Sequence, residues 1–452
     1  MTEAKVTTEE KKKKSINRLK TMYPLRALVD GMYERAVEAS KEGKPVAWCM
    51  VNWWGGDIVL RAMDVACIYP EDYGAVCAAF GAAPAHLARC DADSFPTHMC
   101  GYARNTLGYA SIMKELGGEI PPNVPMAGMP KPTLLLGSGY FCDTRYKWFQ
   151  ALGRYLDAPM WTLEMPHPGV KESRIEGAQE HDIQFLVEEL KEFTAFLEGL
   201  LGKKMDWDRF EELVNDTIEM NRIWYKVNEL RKAKPCPMHS RDFWSSMPAS
   251  LYMAADPKET AKLYQDMYDE VRSRVDNHIG AIENEKYRLA FAELPPWHSL
   301  KFFDQLAEQG WNFVIESWAY HPPQPIDLSK GNDPIEKIAR LTYQYFSGFF
   351  EDAYANKDWW GYFEHPYLEY AREYKCDGIF LHPLLTCRTA TNHLLVVQDQ
   401  ALKRLKVPSI VIEGDIVDLN LFDPADALRK AETFEETMDY YKKVRKEEGL
   451  DW

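Results

Sequence analysis

The feature that most constrains this chain is the short apolar run at residues 133–136, held between Pro132 and Gly137 and followed from Asp143 by a charged, aromatic segment of helical character. A run of that length without polar alternation reads as a strand buried on both faces, the pattern of a parallel sheet covered by helices. The alternation recurs. Strands are predicted at 45–51, 65–69 and 160–163, with a helix at 23–39 before them and another opening near Asp57, whose acid suits a helix N-terminus. From residue 287 the pattern resumes, with strands at 289–294, 312–315, 377–381 and 408–413. Between the two sets the apolar period becomes helical. Ile183, Leu186, Val187 and Leu190 share one face, as do Phe210, Leu213 and Val214, and Asp256, Pro257 and Glu259 form a helix start. The expected fold class is α/β, with two doubly wound mostly parallel-sheet domains and a helical insert between them. The predicted boundaries are an N-terminal extension and helix at 1–44, a first α/β domain at 45–170, the insert at 171–284 and a second α/β domain at 285–452.

Ligands of such sheets lie beyond the carboxyl ends of the strands, and cysteines stand there. Cys142 follows the strand at 133–136 across a predicted turn of Gly137, Ser138 and Gly139. At that strand-to-helix junction, free N–H groups and the helix dipole favour a thiolate. Cys387 follows the strand at 377–381 in the same manner, Glu413 ends the next strand, and Cys100 lies in the loop DSFPTHMCGYAR. The glycine turn also invites a dinucleotide reading, but Cys142 occupies the place of that fingerprint's third glycine. The chain contains neither a GxxxxGK[ST] phosphate loop nor a CxxC pair. ATP hydrolysis at a phosphate loop, a zinc ribbon and a ferredoxin-type cluster loop are therefore unsupported. Spacing alone leaves two readings open: a metal site assembled from distant loops, or three ordinary thiols.

Composition narrows the class. A net charge of −15 and a pI near 5.3 oppose binding to nucleic acid or to an anionic membrane surface. The lysines at 11–14 follow two glutamates and read as a solvated N-terminal extension. With neither a membrane-length apolar stretch nor a signal-peptide core, a cytoplasmic location is expected. In that reducing compartment, nine cysteines, an odd number, read mostly as buried thiols rather than disulfides.

Five segments, FPTHMCGYARNTLGYA, CDTRYKWFQALGRYLDAP, ELPPWHSL, DGIFLHPLLTC and VPSIVIEGDIVD, taken in this order, resemble the 2-hydroxyacyl-CoA dehydratase family over most of residues 45–446. Within it, AWCMVNWWGGDIVLRAMDV and the long helical insert look most like the larger catalytic subunit of ATP-dependent benzoyl-CoA reductase. The resemblance implies that Cys100, Cys142 and Cys387 hold a 4Fe-4S cluster between the two α/β domains, leaving one iron open to another ligand. It implies an iron-sulfur catalytic subunit of an aromatic acyl-CoA reductase. The alternatives are a 2-hydroxyacyl-CoA dehydratase subunit or a non-catalytic electron relay. The partners implied are a paralogous iron-sulfur subunit, separate ATP-hydrolysing iron-sulfur activator subunits and ferredoxin as upstream donor.

Single residues carry further expectations, that for Asp57 from the resemblance and the others from their own chemistry and place in the chain. Cys90 and Cys376 are expected to be buried thiols. Asp57 matches a family glutamate at the head of a helix, with a shorter side chain, and acts either as an acid or base near the substrate or only as an N-terminal helix acid. His98 is the candidate proton donor, with a plain polar contact as the alternative, and His298 and His382 in loops after strands share both readings. Arg104 and Arg388 either balance an anionic cluster, bind coenzyme A phosphates or are surface arginines. Trp53, Trp54 and Trp297 either wall an aromatic acyl pocket or pack the core.

Overall fold

Every residue of β1 (Val46–Cys49), β3 (Leu134–Ser138), β5 (Tyr287–Ala292), β6 (Trp311–Glu316) and β7 (Gly378–Leu381) is buried, so these runs need cover on both faces. A parallel sheet between helix layers supplies it. The computed structural model describes residues 15–452 except 53, 140–141, 167–176, 253–255, 318, 321–332, 346–363 and 451, and contains two such sheets. The first runs β2-β1-β3-β4, with β2 (Ala66–Ile68) and β4 (Met160–Leu163) at its edges. The second runs β6-β5-β7-β8, with β8 (Ser409–Val411) at one edge. All the pairings are parallel. The two sheets share one strand order, and each has a switch point, between β1 and β3 and between β5 and β7. At such points diverging connections open a crevice beyond the carboxyl ends of the strands.

Helices α1 (Met22–Lys41), α2 (Gly55–Ala62), α3 (Pro70–Ala79), α4 (Ala83–Ala92), α5 (Gly101–Glu115) and α6 (Asp143–Leu156) precede or connect the strands of the first sheet. Then come α7 (Ala178–Leu201), α8 (Trp207–Leu230), α9 (Ser240–Leu251) and α10 (Pro257–Asp276). With the second sheet run α11 (Lys301–Glu308), α12 (Pro334–Tyr343), α13 (His365–Glu373), α14 (Leu394–Leu405) and α15 (Pro424–Glu447). The start read at Asp256 and Pro257 is real: the Asp256 carboxylate accepts from Lys258 N, and Pro257 opens α10. The apolar stripes of α7 and α8 are core, with Ile183, Leu190, Phe210 and Val214 all buried.

Two sequence expectations change. Gly137 and Ser138 complete β3 rather than a turn, because they pair with Thr162 and Leu163 of β4. Residues 15–21, expected within an extension, are tied to the helices: Leu19 N donates to Asp242 Oδ2 at 3.1 Å, and Arg274 donates to Asn17 O at 2.7 Å and Arg18 O at 2.9 Å. The lysines at 11–14 lie outside the described residues. Among the described residues no helix is long and apolar enough to cross a membrane.

Helix α5, whose first turn follows Cys100, packs closely on α4. A Cβ placed on Gly108 would lie 1.8 Å from the His86 carbonyl oxygen, a backbone atom that cannot swing away. Gly108→Ala is therefore expected to lower stability by about 1–3 kcal/mol in urea denaturation, as overpacking does.

Candidate functional site

Three cysteines converge from three loops. Cys100 and Cys142 are the N-cap residues of α5 and α6, and Cys387 closes a turn after β7 by donating its N–H to Leu384 O at 2.9 Å. Nearby backbone N–H groups favour each thiolate: that of Ala103 for Cys100, those of Arg145 and Thr144 for Cys142, and those of Ala390 and Thr389 for Cys387. Burial outweighs these donors, pushing Cys100 well above the usual thiol range, raising Cys142 and pushing Cys387 up to about 12. The helix N-termini named from the sequence thus lower the cost of a thiolate without repaying it, and the remainder needs a positive partner.

All three cysteines line one cavity of about 260 Å³. Their sulfurs do not all fall within 4.8 Å of one another. A single tetrahedral ion with 2.3 Å bonds needs its sulfurs about 3.8 Å apart. The three thiols are therefore not placed as the donor set of one tetrahedral zinc ion.

The loops are fixed by contacts that the sequence did not announce. Asp415, beyond β8, accepts from Val417 N at 2.9 Å and Asp418 N at 2.8 Å, and its other oxygen accepts from the Thr386 hydroxyl. Thr386 in turn accepts from Gly101 N at 3.3 Å, so one chain of hydrogen bonds joins the residues beside Cys100 and Cys387. Gly101 has to be glycine here, since a Cβ would lie 2.7 Å from Asp415 Oδ1 and 2.9 Å from Val417. Beside Cys142, Arg145 donates to Val51 O at 2.9 Å and to Glu71 at 3.1 Å. Glu413, picked out in the sequence, is exposed.

The cavity wall is apolar and aromatic, with Tyr102, Trp244, Tyr252 and Trp297 among its residues. Trp297 Nε1 donates to the Tyr102 hydroxyl at 2.6 Å, and its ring meets Trp244 edge-on at 5.8 Å. Trp244 Nε1 is buried without a hydrogen-bond partner. The exposed Arg26 and the half-buried Arg241 belong to the same cavity. Trp54 is a core residue donating to Ser250 O at 2.7 Å, and Trp53 lies outside the described residues.

Neither Asp57 nor His98 lines this cavity. Asp57 is buried at the start of α2 next to Cys49 and Cys67, and accepts from Asn52 Nδ2 at 3.1 Å. Burial pushes its carboxyl up to about 6 against the nearby Asn52, Tyr69 and Arg61. His98 is exposed in the loop before Cys100. His382 is buried, with Nδ1 on Ile412 O at 2.7 Å and its pKa pushed down to about 4 by burial. His298 bridges Ser299 Oγ at 2.8 Å and Asp415 O at 3.1 Å. Arg104 is buried in ion pairs with Asp91 and Asp418, which leaves it no free face for a phosphate. Arg388 forms an exposed pair with Asp143 at 2.8 Å. Cys90 and Cys376 are buried thiols.

Sequence reasoning missed Glu293, at the end of β5. It is fully buried with φ 79°, a strained value for a residue with a side chain, and accepts from the Tyr367 hydroxyl at 2.5 Å. That hydroxyl also meets His393 Nε2 at 2.6 Å. A glutamate directly before Leu294, Pro295 and Pro296 was the available signal.

Two parallel sheets whose loops bring three thiols to one apolar cavity define an α/β protein with a candidate metal centre at its switch points. The chain belongs to the 2-hydroxyglutaryl-CoA dehydratase, D-component, family, whose profile it matches over residues 57–438. It is 24% identical over 424 residues to the (R)-2-hydroxyisocaproyl-CoA dehydratase alpha subunit of Clostridioides difficile, covering 93% of this chain and 97% of that one. It is 25% identical over 309 residues to the (R)-phenyllactyl-CoA dehydratase alpha subunit of Clostridium sporogenes, covering 68% and 72%. A benzoyl-CoA reductase subunit of Thauera aromatica is 26% identical over 353 residues, covering 75% and 77%. The family expected from the sequence therefore holds. The expected leaning toward benzoyl-CoA reductase does not carry over, since dehydratase alpha subunits stand beside that relative at like identity and, for the C. difficile protein, over more of the chain.

Proposed function

We propose that this chain is an iron-sulfur subunit of a 2-hydroxyacyl-CoA dehydratase-type enzyme, with Cys100, Cys142 and Cys387 holding a 4Fe-4S cluster beside an acyl pocket. The observation that carries the reading is the meeting of three thiols, from the loops of both sheets, on one apolar cavity. When bound, such a cluster supplies one-electron chemistry to an acyl group activated by its thioester. The chain's own part is to bind and exclude water. Tyr102, Trp244, Tyr252 and Trp297 form a wall that displaces solvent from the acyl group. Arg26 and Arg241 offer positive charge to the phosphates of coenzyme A. Asp57 and His98 lie outside this cavity, so the reading gives neither a proton step. The subunit names carried by the relatives support a partner subunit, and the reading adds that this partner is a paralogous iron-sulfur chain and that a separate ATP-hydrolysing activator is fed by ferredoxin.

A second reading, reduction of an aromatic acyl-CoA, is favoured by that aromatic wall. Turnover separates the two. With the activator and the paralogous partner present under strict anaerobiosis, the first reading expects a 2-hydroxyacyl-CoA to be dehydrated and benzoyl-CoA to be left intact, and the reverse result establishes the second. Iron and sulfide analysis tests both. Fewer than about three irons per chain, without visible-range absorbance, overturns the cluster.

A further inference from the structure

A second set of metal-capable donors lies in the first sheet. Cys67 pairs with Ala47 across β2 and β1, and Cys49 is two residues beyond Ala47, so both thiols leave the same face of the sheet. Tyr69, two residues beyond Cys67, follows on that face. The first turn of α2 covers it and brings Asp57, with Arg61 one helical turn further. One donor atom from each of Cys49, Asp57 and Cys67 lies within 4.8 Å of the others, and all three residues are buried. Among the described residues this is the only group so arranged.

Three further observations point to a missing occupant. Asp57 Oδ2 is buried with no hydrogen-bond partner, although Asn52 satisfies Oδ1. The Tyr69 hydroxyl is buried with no partner at ordinary hydrogen-bond distance, yet lies near enough to Asp57 to hold its carboxyl down. Unsatisfied buried acceptors of this kind cost about 1–3 kcal/mol each, so a fold that keeps them gains from a cation placed there. Arg61 supplies the remaining charge. Two thiolates and a carboxylate around a divalent ion leave one negative charge, and Arg61 is close enough for its positive charge to act on Cys49 and Asp57. Arg61 also lines an open surface basin of about 740 Å³, which brings the site within one side chain of solvent. Against the ion stand contacts already made within the group: the Cys67 thiol donates to Val65 O at 3.7 Å, and the Cys49–Cys67 and Tyr69–Asp57 side chains lie close enough to interact directly, contacts that metal binding would replace.

We infer that Cys49, Cys67 and Asp57 form a second, structural metal site for a borderline-soft divalent ion of the Zn²⁺ type, pinning α2 to the β1–β2 edge of the first sheet. Two thiolates and a carboxylate suit that ion, with Tyr69 as fourth ligand or as hydrogen-bond donor to the bound carboxylate. The inference is independent of the function proposed above, because none of these residues lines the cysteine cavity.

Cobalt(II) tests it in the full-length chain. In a Cys142→Ser/Cys387→Ser background, which removes two of the cavity thiols, anaerobic Co²⁺ titration is expected to give one tightly bound ion per chain. Its spectrum should show thiolate charge-transfer bands and tetrahedral visible bands. Adding Asp57→Asn should weaken the affinity at least tenfold, and adding Cys67→Ser should abolish the charge-transfer bands. Absence of Co²⁺ binding in a folded background protein overturns the site, as does binding that both changes leave untouched. Should Cys67→Ser fail to fold, the near-isosteric Asp57→Asn decides the matter.

Discussion

Glu316→Ala is expected to destabilise the protein by about 3–5 kcal/mol, read as a lower urea midpoint, because it strands a buried cation. Arg231, at the end of α8, and Glu316, at the end of β6, are each fully buried and joined by two contacts of 2.7 Å. The Ser240 hydroxyl, at the start of α9, donates to the same carboxylate. Removing the carboxylate leaves the guanidinium with Asn228 alone on one nitrogen, at 2.9 Å, in a site without water to replace the lost charge. Replacing both partners, as Arg231→Met with Glu316→Leu, should recover most of the loss, since it removes the stranded charge as well as the pair. A loss under about 1 kcal/mol in the single variant would mean that the pair is relaxed or hydrated in solution.

Asp415→Ala has the largest effect expected on the candidate centre. The carboxylate fixes the backbone at Val417 and Asp418 and, through Thr386, reaches Gly101 beside Cys100 and the turn that carries Cys387. It touches none of the three sulfurs, so it acts by holding two of the loops that carry them. Loss of such outer partners typically weakens metal affinity about 10–100-fold. The expected result is iron released to a chelator at least tenfold faster than from the unaltered protein, while far-ultraviolet circular dichroism stays native. Unchanged iron retention in the folded variant would show that the thiols are positioned without this carboxylate.

The strands of both sheets were legible because their burial is local and continuous. An apolar run such as Leu134, Leu135 and Leu136 has one stable use, between two helix layers. The strand end was misread at Gly137 and Ser138 because turn propensity is a local signal, and pairing with β4 overrode it. Cys142 and Cys387 could be suspected from their place after strands. Cys100 follows no strand and was named from its loop and from the resemblance, since it reaches the cavity only through the packing of α5 against the loop beyond β8, a contact that Gly101 permits. Asp415 stayed hidden for the same reason, and Glu413, closer to the strand, drew the attention instead. The aromatic wall depends on α9, which brings Trp244, Met247 and Pro248 to the cavity from a segment of the insert in which no periodic apolar face had been read.

The repeated strand order has a thermodynamic side. Cys142 hangs from the first sheet and Cys387 from the second, at matching places after β3 and β7. A group gripped by both is held by two halves of the molecule at once. By linkage, its binding energy adds to the free energy that keeps those halves docked, in proportion to how fully the group is bound. A group bound there would then act as a rivet, and losing it would loosen the joint in which the cavity is built.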